Sequence, residues 1–224
     1  MAKAASARGL FRATGKQAKP VVVRDLMGGF QKVDEVERER DDFYPTPVEA
    51  TQAILQAEAE TLKQFDALWE PAAGDGAMVR EMESAGFRVF ASDIVDRGQG
   101  YWVQNFYDFK TAPAPAVVTN PPFKECSRDP GMVRFMLERL DVEYLALLLP
   151  LNWLGAESRM KLWCDHLPAR VYVMRWRVDF TGQGASPIFF AWFVWERLAG
   201  NNLCELKTLN RPNGLPDLFD GGKP

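Results

Sequence analysis

The tetrapeptide Asn120-Pro121-Pro122-Phe123 follows Ala116–Thr119, a short apolar segment that is typical of a buried strand. Two consecutive prolines restrict φ and remove two backbone donors, so that carbonyl oxygens at this corner stay free as acceptors. The side-chain oxygen of Asn120 and the carbonyl oxygen of Pro121 suit the two N–H donors of a base amino group. Accepting both draws the nitrogen toward tetrahedral geometry and frees its lone pair, while Phe123 stacks on the base. The alternative is a rigid turn with a core phenylalanine.

A second group of residues is typical of a nucleoside site. The turn Gly74-Asp75-Gly76 follows a predicted strand over residues 67–72, where small residues allow a ligand to approach the backbone closely. Asp93 ends the next predicted strand, and a carboxylate there accepts hydrogen bonds from both ribose hydroxyls or, alternatively, caps a helix. The GxGxxG spacing of dinucleotide sites is absent, and Glu70 and Asp75 would repel phosphates. A cationic nucleoside such as S-adenosylmethionine, with its sulfonium and ammonium groups, fits these residues.

These residues require a sheet that brings strand ends together. Between residues 43 and 196, β-like runs alternate with amphipathic segments, a pattern typical of a mostly parallel sheet in an α/β fold. After the strand at 67–72, the predicted strands are 87–92, a short strand within 101–109, 116–119, 142–149, 171–178 and 188–196. The predicted helices are 77–85, 132–140 and 157–166. The last two strands are joined by residues 181–187, too few for a helix, and should pair antiparallel. We therefore expect a mostly parallel seven-stranded sheet with a terminal antiparallel hairpin.

Composition sets further bounds. With 224 residues, 47% hydrophobic and 25% charged, the chain suits one globular catalytic domain over 43–196 between an N-terminal arm, 1–42, and a polar tail, 197–224. Residues 1–24 carry six Lys or Arg and no acid, whereas the net charge of the chain is −3. This arm either contacts nucleic-acid phosphates or is a solvated leader without a partner. The apolar runs are too short to span a membrane and the three cysteines lack metal-ligand spacing, which favours a cytoplasmic protein without a metal.

The motifs occur in the order of a known family. The chain resembles the class I N6-adenine DNA methyltransferases, especially the small phage and prophage enzymes. The motifs that carry the resemblance are Asp42-Phe43-Tyr44-Pro45-Thr46-Pro47, 70–76, Ser92-Asp93-Ile94, Asp108-Phe109 and 120–123. The resemblance covers roughly residues 41–197, with the cofactor motifs before the catalytic motif, as in the gamma arrangement. It implies a Rossmann-like methyltransferase fold, S-adenosylmethionine as cofactor and adenine N6 in DNA as the methylated group.

The resemblance also implies roles for individual residues. The methionine end of the cofactor would be held by Phe43, Tyr44 and Thr46, and its adenine by Ile94, Phe109 and Asp108. With the residues of the two motifs above, the cofactor-binding set is Phe43, Tyr44, Thr46, Pro47, Glu70, Ala72, Gly74, Gly76, Asp93, Ile94, Asp108 and Phe109, and the catalytic set is Asn120, Pro121, Pro122 and Phe123. Phe180 falls where the family places a second aromatic near the target base; simple core packing is the alternative.

Nucleic-acid contacts are expected from loops, because larger family members have a separate recognition domain after the last strand and about 28 residues follow Glu196 here. One candidate is the loop with Lys124 and Arg128. Another is Arg175-Trp176-Arg177, where strand alternation would place Arg175 and Arg177 on one face. A solvated edge strand is the alternative for this pair.

Several functions stay open at the level of the sequence. A DNA substrate would have to present its base flipped out of the duplex. The same tetrapeptide also serves in methylation of RNA base amino groups, so RNA is the first alternative. A catalytically silent module that binds nucleic acid or cofactor is the second. Cytosine C5 chemistry is disfavoured, because Cys126 lacks the preceding proline. The oligomeric state is open, with a homodimer among the alternatives.

Overall fold

The computed structural model describes residues 22–24, 30–32, 45–128, 130–180, 186–197 and 203–212. The expected cofactor residues Phe43 and Tyr44 therefore lie outside the described residues. The strands are β1 (Val22–Arg24), β2 (Phe30–Lys32), β3 (Leu68–Glu70), β4 (Val89–Asp93), β5 (Trp102–Val103), β6 (Ala116–Thr119), β7 (Tyr144–Pro150), β8 (Arg170–Met174), β9 (Phe190–Glu196) and β10 (Glu205–Leu209). The α-helices are α1 (Val48–Ala57), α2 (Ala59–Leu62), α3 (Ala77–Ser84), α4 (Phe123–Cys126), α5 (Met132–Arg134) and α6 (Met160–Asp165).

Eight of these strands form one sheet, in the order β10-β8-β9-β7-β6-β3-β4-β5. The five strands β7, β6, β3, β4 and β5 are parallel to one another. β9 lies between β7 and β8 and is antiparallel to both. The mostly parallel sheet with antiparallel C-terminal strands confirms the predicted fold class. β1 and β2 form a separate antiparallel pair.

The core is built on the central strands. All seven residues of β7 are buried, as the continuous apolar run predicts for a strand covered on both faces. The indole nitrogen of the buried Trp69 donates to Ser92 Oγ at 3.0 Å, and that of Trp192 donates to the carbonyl oxygen of Ala50 at 3.0 Å. The second bond fixes α1 against the sheet, so the helix that follows the Thr46-Pro47 motif has a defined position.

Two elements lie where the sequence predicts none. α1 lies in a segment to which the sequence assigns no element, although its buried positions include Ala50, Ile54 and Leu55. β10 lies within the predicted polar tail and pairs in parallel with β8, so that the sheet has eight strands where seven were expected. Because β10 is an edge strand whose first four residues are exposed, it lacks the apolar run that identifies a central strand.

The predicted strand over 171–178 is too long. β8 ends at Met174, so Arg175 and Arg177 do not share a strand face as expected. The physical reason is that the ladder between β8 and β9 stops at Val173 opposite Ala191, one residue inside the start of β9. Arg175 donates to Asn210 Oδ1 at 3.0 Å, whereas the Arg177 guanidinium lies 5.1 Å from the ring centre of Phe189. No helix within the described ranges is long and apolar enough to cross a membrane.

Candidate active site

The candidate site lies where the order of the parallel strands reverses. From β3 the chain adds β4 and β5 on one side and then returns to add β6 and β7 on the other. Ligands of open α/β sheets bind outside the carboxyl ends of the strands at such a switch point. Glu70 ends β3, Thr119 ends β6, and both residues are fully buried. The glycine turn and the tetrapeptide follow these two residues, so the fold brings both motifs to one edge.

The glycine turn is fixed to the end of β4. Gly74 and Gly76 have φ of +56° and +80°, in the left-handed region that glycine adopts without a steric penalty. The Gly74 N–H donates to Asp93 Oδ2 at 2.7 Å, and the Val95 N–H donates to Asp93 Oδ1 at 2.9 Å. No helix begins here, which removes the helix-cap alternative for Asp93. Each carboxylate oxygen keeps a further lone pair, so Asp93 can hold the turn and still accept from a ligand.

Tyr101 is a contact of this turn that the sequence does not predict. A Cβ placed on Gly76 would collide with the Tyr101 hydroxyl and would lie 3.2 Å from Arg80 Nη1. The tyrosine side chain therefore lies directly against the backbone of the turn, which requires glycine for space as well as for φ. Burial raises the pKa of Tyr101, so its hydroxyl stays protonated at neutral pH.

Exposed apolar side chains surround the end of β4. Ile94 is 61% exposed directly after Asp93, and Val103, which pairs with Asp93 across the two strands, is 57% exposed. Phe109 packs 5.0 Å from Trp69 and 6.1 Å from Trp102, centre to centre. Apolar side chains beside a buried acid suit a flat heterocycle next to a ribose. The roles of Ile94, Phe109 and the exposed Asp108 toward adenine stay predictions, and the sequence did not single out Trp102 or Val103.

The amide of Asn120 has a partner on one side only. Its Nδ2 donates to Oγ1 of the buried Thr46 at 3.0 Å, which joins the Thr46-Pro47 motif to the tetrapeptide. Its Oδ1 is buried and has no hydrogen-bond partner among the described residues. A buried acceptor without a partner lowers stability by about 1–3 kcal/mol. The arrangement thus presents a fixed oxygen that a ligand donor would satisfy.

The phenylalanine of the tetrapeptide belongs to a buried aromatic cluster. Phe123 starts α4 and packs 5.8 Å from Phe190, and Phe180 packs 4.8 Å from Phe190 on the same cluster. Phe123 is 8% exposed and Phe180 is 7% exposed. The contacts of Phe180 are those of a core residue, the alternative given above. Stacking of either ring on a base stays a prediction.

Glu70 is a buried acid between the two motifs. Its Oε1 accepts from the Ala72 N–H at 3.0 Å and from Thr119 Oγ1 at 2.5 Å, while its Oε2 is buried without a partner among the described residues. Burial raises the pKa of Glu70 to about 8; the two hydrogen bonds oppose this shift, and the charge of Asp93 adds to it. At neutral pH the carboxyl is therefore mostly protonated.

We expect Glu70→Gln to remove most of the pH dependence of stability between pH 5 and 9. Because the folded-state pKa of about 8 exceeds the usual 4.5, the folded protein keeps a proton that the unfolded chain has lost. This contribution is complete below pH 4.5 and is lost once the pH has risen through about 8, at roughly 1.4 kcal/mol per pKa unit. Urea unfolding at pH 5, 7 and 9 measures the free energy of unfolding at each pH, and Glu60→Gln, at an exposed residue, is the control. Equal pH dependence in wild type and Glu70→Gln would contradict it.

The predicted nucleic-acid contacts lie in two places. Lys124 and Arg128 are exposed in and just after α4, beside the tetrapeptide, and Arg128 forms an ion pair with Glu125 at 3.3 Å. Arg175 instead contacts the residue that follows β10. Arg175 and Arg177 follow the carboxyl end of β8, as Lys124 and Arg128 follow that of β6, and the second pair is the nearer of the two to the tetrapeptide in the chain.

Comparison with solved structures identifies the fold as that of class I S-adenosylmethionine-dependent methyltransferases. A protein from Listeria monocytogenes assigned to that class matches 80% of this chain and 69% of its own length, with a TM-score of 0.54 and 11% identity. A protein from Pyrococcus horikoshii assigned as an RNA methyltransferase matches 70% of this chain and 87% of its own, with a TM-score of 0.55 and 12% identity. No protein-family model and no curated protein matches the sequence. At these identities the likeness establishes the fold, and the chemistry of the site has to supply the function.

Proposed function

We propose that the protein transfers a methyl group from S-adenosylmethionine to an exocyclic amino group of a nucleobase, preferably adenine N6 in DNA. The observation that carries this proposal is the buried, unpaired Oδ1 of Asn120, in an amide held by Thr46. A base amino group has two N–H donors and a delocalised lone pair, and an oriented acceptor is the group that it needs. The fold and the sequence motifs around Asn120 support the same reaction class.

The residues at the glycine turn fit the proposed cofactor. Gly74 and Gly76 allow close backbone approach, and Asp93 retains acceptor capacity for ribose hydroxyls. The Glu70 carboxyl, with its unpaired Oε2, suits a cationic group once the carboxyl is ionised. The cofactor would supply an electrophilic sulfonium methyl group. The predicted cofactor set, including Thr46, Pro47 and Ala72, belongs to this proposal.

The chain contributes positioning and electrostatics. Asn120 Oδ1 and the Pro121 carbonyl oxygen would accept the two N–H bonds of the amino group and orient its lone pair away from the ring plane. In the proposed reaction the N–C bond would form as the S–C bond breaks and the neutral thioether leaves, and the methylated nitrogen would then lose one proton to solvent. The two fixed oxygen dipoles would stabilise the positive charge that develops on the nitrogen without reorganising. No covalent intermediate with the protein is required, and none of the catalytic set is a nucleophile.

Adenine in DNA is preferred because the order and type of the motifs resemble N6-adenine DNA methyltransferases. The target base would have to leave the duplex, with an energetic cost of a few kcal/mol. Lys124, Arg128 and the basic arm are the candidate phosphate contacts. RNA is the second candidate substrate, which the likeness to an assigned RNA methyltransferase favours.

Product identification tests the proposal. Purified protein is incubated with methyl-labelled S-adenosylmethionine and either unmethylated DNA or transcribed RNA, and the nucleic acid is digested to nucleosides and chromatographed. We expect label in N6-methyldeoxyadenosine. Label in a methylated ribonucleoside alone would support the RNA alternative. Bound cofactor with no label in either substrate would contradict the proposed reaction and favour a silent binding module.

We expect deletion of residues 1–24 to weaken DNA binding and to lower its dependence on salt. The deleted segment carries six basic residues and no acid. Each phosphate contact that is lost reduces the slope of log affinity against log salt by about 0.9 on duplex DNA. Fluorescence anisotropy with a labelled duplex between 50 and 200 mM salt measures the slope. An unchanged slope would show that the arm makes no phosphate contacts.

A further inference from the structure

We propose that Thr119 is a positioning residue that ties the placement of Asn120 to the carboxyl group of Glu70, so that cofactor binding and alignment of the target amine are coupled. The inference rests on the proposed function. It concerns a residue to which the sequence assigns no role, since Thr119 closes β6 one position before the tetrapeptide.

The contact joins two strands that are distant in sequence. Thr119 Oγ1 donates to Glu70 Oε1 at 2.5 Å across 49 residues, and both side chains are shielded from solvent. The next residue, Asn120, is held from the other side by Thr46 at 3.0 Å. Asn120 is therefore held between two anchors, one of which is the acid at the cofactor turn.

The two carboxyl oxygens of Glu70 differ in their hydrogen-bond partners. Glu70 Oε2 is buried and has no partner among the described residues, while Oε1 carries both hydrogen bonds. The charge that acts on Glu70 is that of Asp93 at the end of β4, and it is negative. Arg80, the basic residue at the glycine turn, donates to the Asp75 carbonyl oxygen at 2.6 Å and acts on Tyr101. A cation that would stabilise the ionised carboxyl has to come with the ligand.

Binding of a cationic cofactor should therefore release a proton from Glu70 to the solvent. The pKa of about 8 in the free protein would fall in the complex, because a positive charge stabilises the carboxylate. The bond from Thr119 then becomes a charge-assisted hydrogen bond, which is stronger and shorter than its neutral form. The end of β6, and with it Asn120, would be held most firmly when the cofactor is present.

Calorimetric titration of S-adenosylmethionine into the full chain tests the coupling. At pH 7, titrations in two buffers with different ionisation enthalpies should show release of a proton by wild type and none by Glu70→Gln. Between pH 6 and 9, wild-type affinity should rise through about pH 8. Thr119→Val lacks a bond that lowers the pKa of Glu70, so the rise should move to higher pH. Thr119→Ser keeps the hydroxyl and should restore the wild-type profile.

A single-turnover assay separates positioning from binding. Thr119→Val should slow methyl transfer by about 10²-fold at saturating cofactor, the size expected when a reacting group is misplaced by about 1 Å. If Thr119→Val had the same pH profile of cofactor affinity and the same rate of methyl transfer as wild type, the inference would be overturned. Binding to wild type without proton release would also overturn it, a result that does not depend on the folding of any variant. Failure of wild type to bind S-adenosylmethionine would instead contradict the proposed function, and the inference with it.

Discussion

Asn120→Ala is expected to reduce methyl transfer by about 10²–10³-fold, the loss that follows removal of one oriented group that stabilises transition-state charge. The substitution deletes the unpaired Oδ1 and the bond from Nδ2 to Thr46. The affinity for S-adenosylmethionine should change by no more than a few-fold, because Asp93 and the glycine turn lie on the neighbouring strands. The effect should thus appear in the rate of the chemical step.

Single-turnover kinetics at saturating cofactor and DNA measure this loss. The matched control is Gln64→Ala, which removes a side-chain amide at the opposite end of the sheet, where Gln64 donates to the Glu60 carbonyl oxygen. It should retain wild-type activity. Full activity of Asn120→Ala would remove the central element of the proposed mechanism.

The stability of Asn120→Ala distinguishes a functional corner from a rigid turn. The buried Oδ1 lowers the stability of the folded protein, so its removal offsets the loss of the Thr46 bond. We expect a melting temperature within a few degrees of wild type. A purely structural role would give the opposite combination, with a lower melting temperature and unchanged kinetics of transfer in the folded fraction.

Asp93→Ala is expected to lower the affinity for S-adenosylmethionine by about 10²-fold, and it is the second large effect. Its two oxygens accept from Gly74 and Val95, so alanine leaves one N–H group of the turn and one N–H group just after β4 without their partners. Each such group lowers stability by about 1–3 kcal/mol if it stays buried. Loss of the ribose acceptor and loosening of the turn act in the same direction.

Calorimetric or fluorescence titration gives the affinity, and urea unfolding gives the stability change. Asp96→Ala is a matched control, because Asp96 makes the same kind of bond to the Gly98 N–H in the same loop but is exposed. Asp93→Asn keeps one acceptor oxygen and should fall between wild type and alanine in both measurements. Unchanged cofactor affinity in folded Asp93→Ala would refute the ribose role.

Strand prediction succeeded where burial is two-sided. The apolar runs that become β6 and β7 give the core strands almost to the residue, because a fully covered strand leaves no polar positions. The same logic fails for β10, whose exposed edge residues follow no apolar pattern. β5 has two residues and pairs with β4 alone, and it lies inside the stretch 101–109 in which the sequence predicts a short strand.

The sequence predicts those residues of the candidate site that are polar where an apolar strand ends. Asn120, Glu70 and Asp93 are polar groups at the ends of apolar strands, and the structure brings them to one edge through two contacts, Thr119 to Glu70 and Gly74 to Asp93. Thr119 stands at the start of the predicted Asn-Pro-Pro-Phe site, but the sequence gives it no role, because a threonine at a strand end is ordinary. Its importance depends on register, since pairing of Trp69 with Val117 sets the two strand ends level.

The insertion of β9 between β7 and β8 has a consequence for how the chain is made. Residues 144–150 leave the ribosome before residues 190–196. One edge of β7 therefore stays unpaired until β9, its antiparallel neighbour, has been synthesised. An uncovered apolar edge favours association with other nascent chains. The protein should therefore rely on chaperones or slow dilution during production, even though its finished sheet encloses that strand on both sides.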